Sequence, residues 1–295
     1  MYLTGFADEA ADGIEEQIRA TKELGWKYIE ARSISGKNIH DLSDEQFDYV
    51  YAALQISGIR VNCFGSAIAN HSKRIDDPTE TSIEEAKRAI TRMKKLGVKL
   101  IRIMSYALFK DRTPENQMKH QRFERLRTIC KMFLDQGITP VHENCMNYGG
   151  MGWKYTLELL ENVPGLKLVF DTGNPVVSID YSKTPPSPPQ SAWEFYSHVR
   201  DHVVYVHIKD AKWDKEKNKE EFTFPGEGEA DVERIVRDLL SRGYNGGFSM
   251  EPHMAVVFHD DSVQATEEKR FRNYVEYGTR FMKMLAKINE DLNQD

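Results

Sequence analysis

Short apolar runs and longer amphipathic stretches alternate along this chain, often joined through a glycine. Ile14, Ile18, Thr21 and Leu24 recur at helical spacing, and Glu23-Leu-Gly25-Trp-Lys-Tyr-Ile-Glu30 then leads into an extended run. The same passage from helix through glycine to strand returns at Ile56-Ser-Gly58, Lys95-Leu-Gly97, Asp135-Gln-Gly137 and Ser241-Arg-Gly243. Glycine suits these joins because helices often end on a residue at positive φ, where a Cβ clashes. Leu126, Cys130, Phe133 and Leu134 mark another helix, and Ile235, Leu239 and Leu240 a late one. Phe271, Val275, Phe281, Leu285 and Ile288 give a C-terminal amphipathic helix. Ser82 with Glu85 has the spacing of a capping box ahead of Ile90, Met93 and Leu96.

Eight strands are expected: Leu3–Phe6, Tyr28–Glu30, Arg60–Phe64, Leu100–Met104, Thr139–Glu143, Lys167–Asp171, Val203–His207 and Gly247–Glu251. Eight alternating units predict an α/β chain, a (β/α)8 TIM barrel filling residues 1–295 as one domain. An open doubly wound sheet has fewer strands, and no Gly-x-Gly-x-x-Gly follows the first one.

Four of the runs end in a metal-type ligand: Val-His-Glu143-Asn, Val-Phe-Asp171-Thr-Gly-Asn, Tyr-Val-His207-Ile-Lys-Asp and Ser-Met-Glu251-Pro-His. One such residue means little. Four in succession at the ends that converge on a barrel mouth predict a site for a divalent ion and a substrate. Two Glu, one Asp and one His suit Mn²⁺ foremost, with Mg²⁺, Co²⁺ or Zn²⁺ as alternatives. Three carboxylates and one such ion leave a formal charge of −1, which favours neutral hydroxyl and carbonyl oxygens over a bare anion.

Neighbouring residues are weighed by position. Lys209 and His253 each stand two residues past a ligand and are candidate substrate contacts; Phe6 and Trp153, at or after strand ends, are candidate walls. His142 is expected to face the helices, Glu30 to support the ligands, and Asp210 to anchor a loop. Gly226-Glu-Gly228 lacks the Lys-Ser/Thr of a phosphate loop and reads as a tight turn, with Asp231 capping the next helix. Lys212–Glu221 reads as a solvated charged loop, and proline-rich Pro175–Gln190 as an insertion on the active-site side, a lid or a stiff loop.

Composition narrows the classes. The net charge of −6 argues against a duplex-binding surface. Cys63, Cys130 and Cys145 make an odd number without Cys-x-x-Cys spacing, which fits a reducing, cytoplasmic setting. There is no transmembrane run, and the first ten residues lack a secretory pattern. The expected partner is a small sugar or polyol, with no nucleic acid and no membrane, in a homodimer formed through outer helices.

The chain resembles the sugar isomerase/epimerase superfamily with the xylose-isomerase-like barrel, which includes ketose 3-epimerases, hydroxypyruvate isomerases and inosose dehydratases. The resemblance rests on Glu143-Asn144, Phe170-Asp171-x-Gly173, His207-Ile-Lys-Asp210, Gly226-Glu-Gly228-Glu-Ala-Asp231 and Gly243-Tyr-x-Gly246 leading into Glu251. It implies that Glu143, Asp171, His207 and Glu251 are metal ligands and that Glu143 and Glu251 double as the acid/base pair. Many members carry His where Asn174 stands; Asn donates a hydrogen bond to a substrate oxygen but does not titrate. The implied reaction is isomerisation or epimerisation of a sugar or sugar phosphate through an enediolate. A dehydratase of a keto-inositol shares its first step. Apurinic endonucleases share the barrel, but they would call for several more His ligands than the ends of strands two and three supply here. A sugar binder without turnover would not need two glutamate bases.

Overall fold

Among the described residues, eight parallel strands alternate with eight α-helices. The strands are β1 (Tyr2–Gly5), β2 (Tyr28–Ala31), β3 (Arg60–Gly65), β4 (Leu100–Ile103), β5 (Thr139–Glu143), β6 (Lys167–Asp171), β7 (Val203–Ile208) and β8 (Gly247–Met250). The helices are α1 (Ile14–Glu23), α2 (Asp44–Ser57), α3 (Thr79–Leu96), α4 (Lys119–Leu134), α5 (Trp153–Asn162), α6 (Ala192–Val199), α7 (Val232–Ser241) and α8 (Glu267–Leu292). The computed structural model describes residues 1–214, 216–256 and 265–294. The sheet order is β1-β8-β7-β6-β5-β4-β3-β2, and a parallel Phe6–Glu30 bridge joins its two edges. This is the expected single TIM-barrel domain.

Local chemistry sets the joins. Gly58 ends α2 at φ 75° and Gly97 ends α3 at φ 72°, conformations that a side chain resists. The capping box lies at Ser43 and Gln46, before α2. The Ser82–Glu85 box does not form, because α3 already begins at Thr79. There Ser82 accepts the Tyr106 hydroxyl and Glu85 pairs with Lys73 at 2.7 Å.

Most of the core lies between barrel and helices, while Cys63, Val141, Val169 and Tyr205 fill the barrel interior. Between the pairs Ile29–Val61 and Glu30–Cys63, β3 carries one extra residue, Asn62. The bulge lets consecutive residues reach the interior. Asn62 accepts from Thr4 Oγ1 (2.8 Å) and donates to the Tyr205 hydroxyl (2.9 Å), while Cys63 joins the apolar cluster.

Two expectations for loops are corrected. Lys212–Glu221 is not a plain solvated loop. Asp210–Asp214 pairs antiparallel with Lys219–Thr223, making a hairpin above the barrel mouth. Asp231 precedes α7 at φ 52° but makes no side-chain cap. Asp210 does anchor a loop, accepting from the backbone N–H groups of Gly226, Gly228 and Ala230. Pro175–Gln190 is tied down: Gln190 Nε2 donates to the carbonyls of Gly150 (2.8 Å) and Ile179 (2.9 Å), and the Asp180 N–H to that of Pro188 (2.8 Å). Those bonds fit the stiff-loop alternative. No helix among the described residues is long and apolar enough to cross a membrane.

Candidate metal centre

Glu143 and Asp171 are the last residues of β5 and β6, His207 the penultimate residue of β7, and Glu251 directly follows β8. All four are buried, and one ligand atom from each lies within 4.8 Å of the others. His207 Nδ1 is 3.6 Å from Glu143 Oε1, 3.9 Å from Asp171 Oδ2 and 3.8 Å from Glu251 Oε2. His207 Nδ1 is buried without a hydrogen-bond partner, and Asp171 Oδ2, equally buried, faces the Lys209 ammonium at 3.1 Å as an ion pair. A buried polar atom without a partner is costly, and an unpartnered imidazole nitrogen aimed at three buried carboxylates fits a cation there. The donor set, three carboxylates and one imidazole, suits a divalent ion.

Each ligand is aimed by its neighbours. Asp171 Oδ1 accepts from the backbone N–H groups of Gly173 (2.9 Å) and Asn174 (2.7 Å), which turns Oδ2 inward. The Asn144 side chain pairs with the Asp171 backbone in both directions, giving the Glu143-Asn144 dipeptide a structural reason. His207 Nε2 faces Glu30 at 3.2–3.3 Å, so its other nitrogen points at the cluster. Glu30 Oε2 in turn accepts from Tyr205 (2.7 Å) and Ser249 (2.6 Å) inside the barrel.

Three cations compensate the acids. Arg102 donates to Glu143 Oε2 at 2.9 Å and Arg32 to Glu251 Oε1 at 2.7 Å. Lys209 Nζ donates to Glu251 Oε2 at 2.9 Å and lies 3.1 Å from Asp171 Oδ2. Burial alone would raise the Glu143 pKa, but Arg102 and then His207 outweigh it and hold it at about 2. Glu251 is likewise held well below the usual range despite burial, by Lys209, His253 and Arg32. Burial pushes Asp171 up to about 7, with Glu251 and Glu143 adding to the rise against Lys209. Burial would lower the His207 pKa, yet Glu30 and Glu143 carry it up to about 10. A bound dication would reverse the last two effects, since it favours carboxylate and neutral imidazole.

Glu143 and Glu251, with Arg32, Arg102 and Lys209, line a cavity of about 350 Å³, of small-molecule size. A larger surface groove of about 640 Å³ lies between α1 and α8, away from the ligands. Of the expected substrate contacts, Asn174, Lys209 and His253 line the cavity. Asn174 donates to Glu143 Oε1 (3.1 Å) and accepts from Lys209 (3.0 Å). His253 is held at φ 54° by Glu9, which accepts from its N–H at 2.7 Å and faces Nδ1 at 2.9 Å. Phe6, expected as a wall, does not line the cavity: it is fully buried, with His207 edge-on at 5.0 Å and Arg32 and Arg102 over its ring at 4.1 and 5.0 Å. Trp153 is not brought to the cavity. It opens α5 and stacks on His198 of α6 at 3.8 Å, because a 3-10 turn (Tyr148–Met151) separates it from the strand end. His142 faces outward as expected, its Nε2 3.0 Å from Ser105 Oγ.

Sequence reasoning passed over Arg32, Arg102 and Phe222. Arg102 had a signal: a charged residue inside the apolar run Leu100-Ile101-Arg102-Ile103 needs a buried partner. Phe222 had none, because the hairpin that carries it to the cavity and to His253 (5.2 Å) lacks apolar alternation.

A family model for the xylose isomerase-like TIM barrel matches residues 18–274. Solved structures similar to the chain include a xylose isomerase-like TIM-barrel protein from Mycobacterium smegmatis in complex with magnesium (17% identity, 92% of this chain and 89% of that one, TM-score 0.67). The IolI protein with a zinc atom is similar at 16% identity, over 98% of this chain and 99% of that one, with TM-score 0.70. D-allulose 3-epimerase from Methylomonas sp., in complex with D-allulose, is similar at 16% identity over 96% of each chain, with TM-score 0.68. No curated protein matches the sequence. At these identities the structural likeness establishes the fold.

Proposed function

The chain belongs to the xylose isomerase-like TIM-barrel family, and from that premise we propose that it is a divalent-metal-dependent isomerase or epimerase of a sugar or sugar phosphate. The observation that carries the reading is the convergence of the unpartnered His207 Nδ1 with the carboxylates of Glu143, Asp171 and Glu251, of which Glu143 and Glu251 line a cavity. Magnesium and zinc in two similar structures support a metal, and Mn²⁺ suits the carboxylate-rich donor set.

A divalent ion held by Glu143, Asp171, His207 and Glu251 supplies Lewis acidity toward a carbonyl oxygen. The protein's own groups move the proton. One of the two glutamates takes it from the carbon beside the carbonyl and leaves an enediolate; the other returns it, to the opposite face or to the neighbouring carbon. Such acid/base help contributes about 10²–10⁴ in rate. Arg102 and Arg32 each hold one oxygen of a glutamate, so neither carboxylate swings freely. Asn174, Lys209 and His253 contact the substrate's hydroxyl oxygens from the cavity walls. The unpaired cysteines suit a reducing cytoplasm.

A lyase that removes water from a keto-inositol or related ring shares the first step. Asn174 favours keeping it as the second reading, because a group that does not titrate stands where many relatives have His. A nuclease with three ions finds little support. Among the described residues the two ligand clusters share Glu251, and Arg32 already pairs with both Glu9 and Glu251 of the second.

The test is turnover with Mn²⁺ in D₂O against ketoses, aldoses, hydroxypyruvate and inosose, read by NMR beside Glu143→Gln and Glu251→Gln. Deuterium next to the carbonyl, lost in both variants, is the expected result, and the product separates isomerase from lyase. Exchange that survives both substitutions would overturn the assignment.

A further inference from the structure

Lys209 is 3% exposed, and its ammonium sits on oxygens that belong to the metal-ligand set. Nζ is 2.9 Å from Glu251 Oε2 and 3.1 Å from Asp171 Oδ2, the same two oxygens that face His207 Nδ1. Through Asn174, which accepts from Nζ and donates to Glu143 Oε1, it also reaches a third ligand. This seat is built into the fold. The Lys209 stem lies against Gly173, where an added Cβ would come 2.7 Å from Lys209 Cγ. Thr172 Oγ1 clamps the Lys209 backbone from both sides, accepting from its N–H (3.0 Å) and donating to its carbonyl (2.6 Å).

Glu30, Glu143, Asp171 and Glu251 crowd one buried volume, and their mutual repulsion would open the site without a counterion. The ammonium supplies one. A divalent cation bonded to the same two oxygens would meet that ammonium at close range, where burial leaves little screening. Lys209 also lines the cavity, so its flexible four-carbon stem has a path toward the place where substrate enters.

We propose that Lys209 is a resident stand-in for the metal: its ammonium holds Asp171, Glu251 and, through Asn174, Glu143 in ligand positions in the metal-free protein, and moves into the cavity when a divalent cation takes those oxygens. This rests on the metal-centre reading above. The four ligands are thereby preformed before the ion arrives, and loading the metal delivers a positive charge to an oxygen of the incoming substrate.

The experiment uses the full chain as wild type, Lys209→Met and Lys209→Arg. Mn²⁺ affinity is measured by calorimetry, melting temperature in EDTA and in Mn²⁺, and acetylation of Lys209 by an N-hydroxysuccinimide ester through mass spectrometry. Lys209→Met should bind Mn²⁺ tighter by about tenfold or more, melt lower than wild type in EDTA, and gain more from Mn²⁺. Lys209→Arg, which keeps the charge, should stay near wild type. In wild type, Lys209 should be protected from acetylation in EDTA and modified once Mn²⁺ is bound. Equal Mn²⁺ affinity in wild type and Lys209→Met, or equal protection of Lys209 with and without Mn²⁺, would overturn the proposal while leaving the metal centre standing. Absence of Mn²⁺ binding in both proteins would overturn the metal centre itself and this inference with it. Should Lys209→Met fail to fold, the acetylation of wild type decides the question alone.

Discussion

Glu30→Gln changes almost no volume but removes one charge and one acceptor directly behind the His207 imidazole. Three donors converge on this carboxylate: Tyr205 at 2.7 Å, Ser249 at 2.6 Å and His207 Nε2 at 3.2–3.3 Å. A glutamine offers one oxygen and one NH₂ in their place. If the oxygen keeps the two hydroxyls, the NH₂ faces His207 Nε2, which must then accept. The imidazole proton moves to Nδ1, the atom that looks toward Glu143, Asp171 and Glu251, and a protonated Nδ1 is no ligand. If the oxygen serves His207 instead, the NH₂ meets two hydroxyls that must both turn, and at this buried position a lost bond is costly. Either arrangement weakens the hold on the imidazole. Partners of this kind behind a metal-bound His are worth about 10- to 100-fold in affinity, or about 1.4–2.7 kcal/mol. Calorimetric titration of Zn²⁺ or Mn²⁺ reads this directly, with circular dichroism to verify the fold and Glu30→Asp as a variant that keeps the charge. An affinity within twofold of wild type in a folded Glu30→Gln protein would refute the reasoning.

Other outcomes follow from particular contacts. Burial depresses the His142 pKa to about 4, so the folded protein stays neutral there while the unfolded chain takes a proton below about 6.5. The stability is complete above about pH 6.5 and declines by about 3 kcal/mol as pH falls to about 4; urea unfolding across that range should show a steeper loss in wild type than in His142→Gln, and parallel curves would contradict it. Arg122 is buried and donates to the carbonyls of Ser105, Tyr106, Ala107 and Gln117. Arg122→Met should therefore cost about 3–5 kcal/mol, seen as a lower urea midpoint, and an unchanged midpoint would count against it. Trp153→Ala removes a stack on His198 away from the cavity. It should lower stability by about 1–3 kcal/mol yet keep deuterium exchange within twofold, and a large loss of exchange would place Trp153 at the substrate after all.

Much of the architecture is written locally. Each expected strand lies within about one residue of the observed one, because apolar runs and the glycines after helices report on backbone preferences that need no distant partner. The expectations that fail are also local in origin. Ser82 and Glu85 have capping-box spacing, but α3 gains an extra turn before them, and Tyr106 and Lys73 take their side chains instead. Trp153 follows a strand in sequence, yet an intervening turn hands it to the helix layer. The hairpin at Asp210–Thr223 carries charges on both strands, so its pattern imitates a solvated loop.

What the sequence determined by itself is the barrel and which residues stand at its mouth. Glu143, Asp171, His207 and Glu251 are legible because a ligand-type side chain at the end of an apolar run is anomalous there, and four successive anomalies point to one place. Tertiary structure alone decided how those residues are tuned: Arg32 on Glu251 and Ser249 on Glu30, each 219 positions apart, Arg102 on Glu143, and Lys209 across Asp171 and Glu251. Those pairings depend on barrel closure at Phe6–Glu30 and on the extra Asn62 in β3. Periodicity tells which face a side chain takes, but the distance between two charges follows only from the register of strands brought together from opposite ends of the chain.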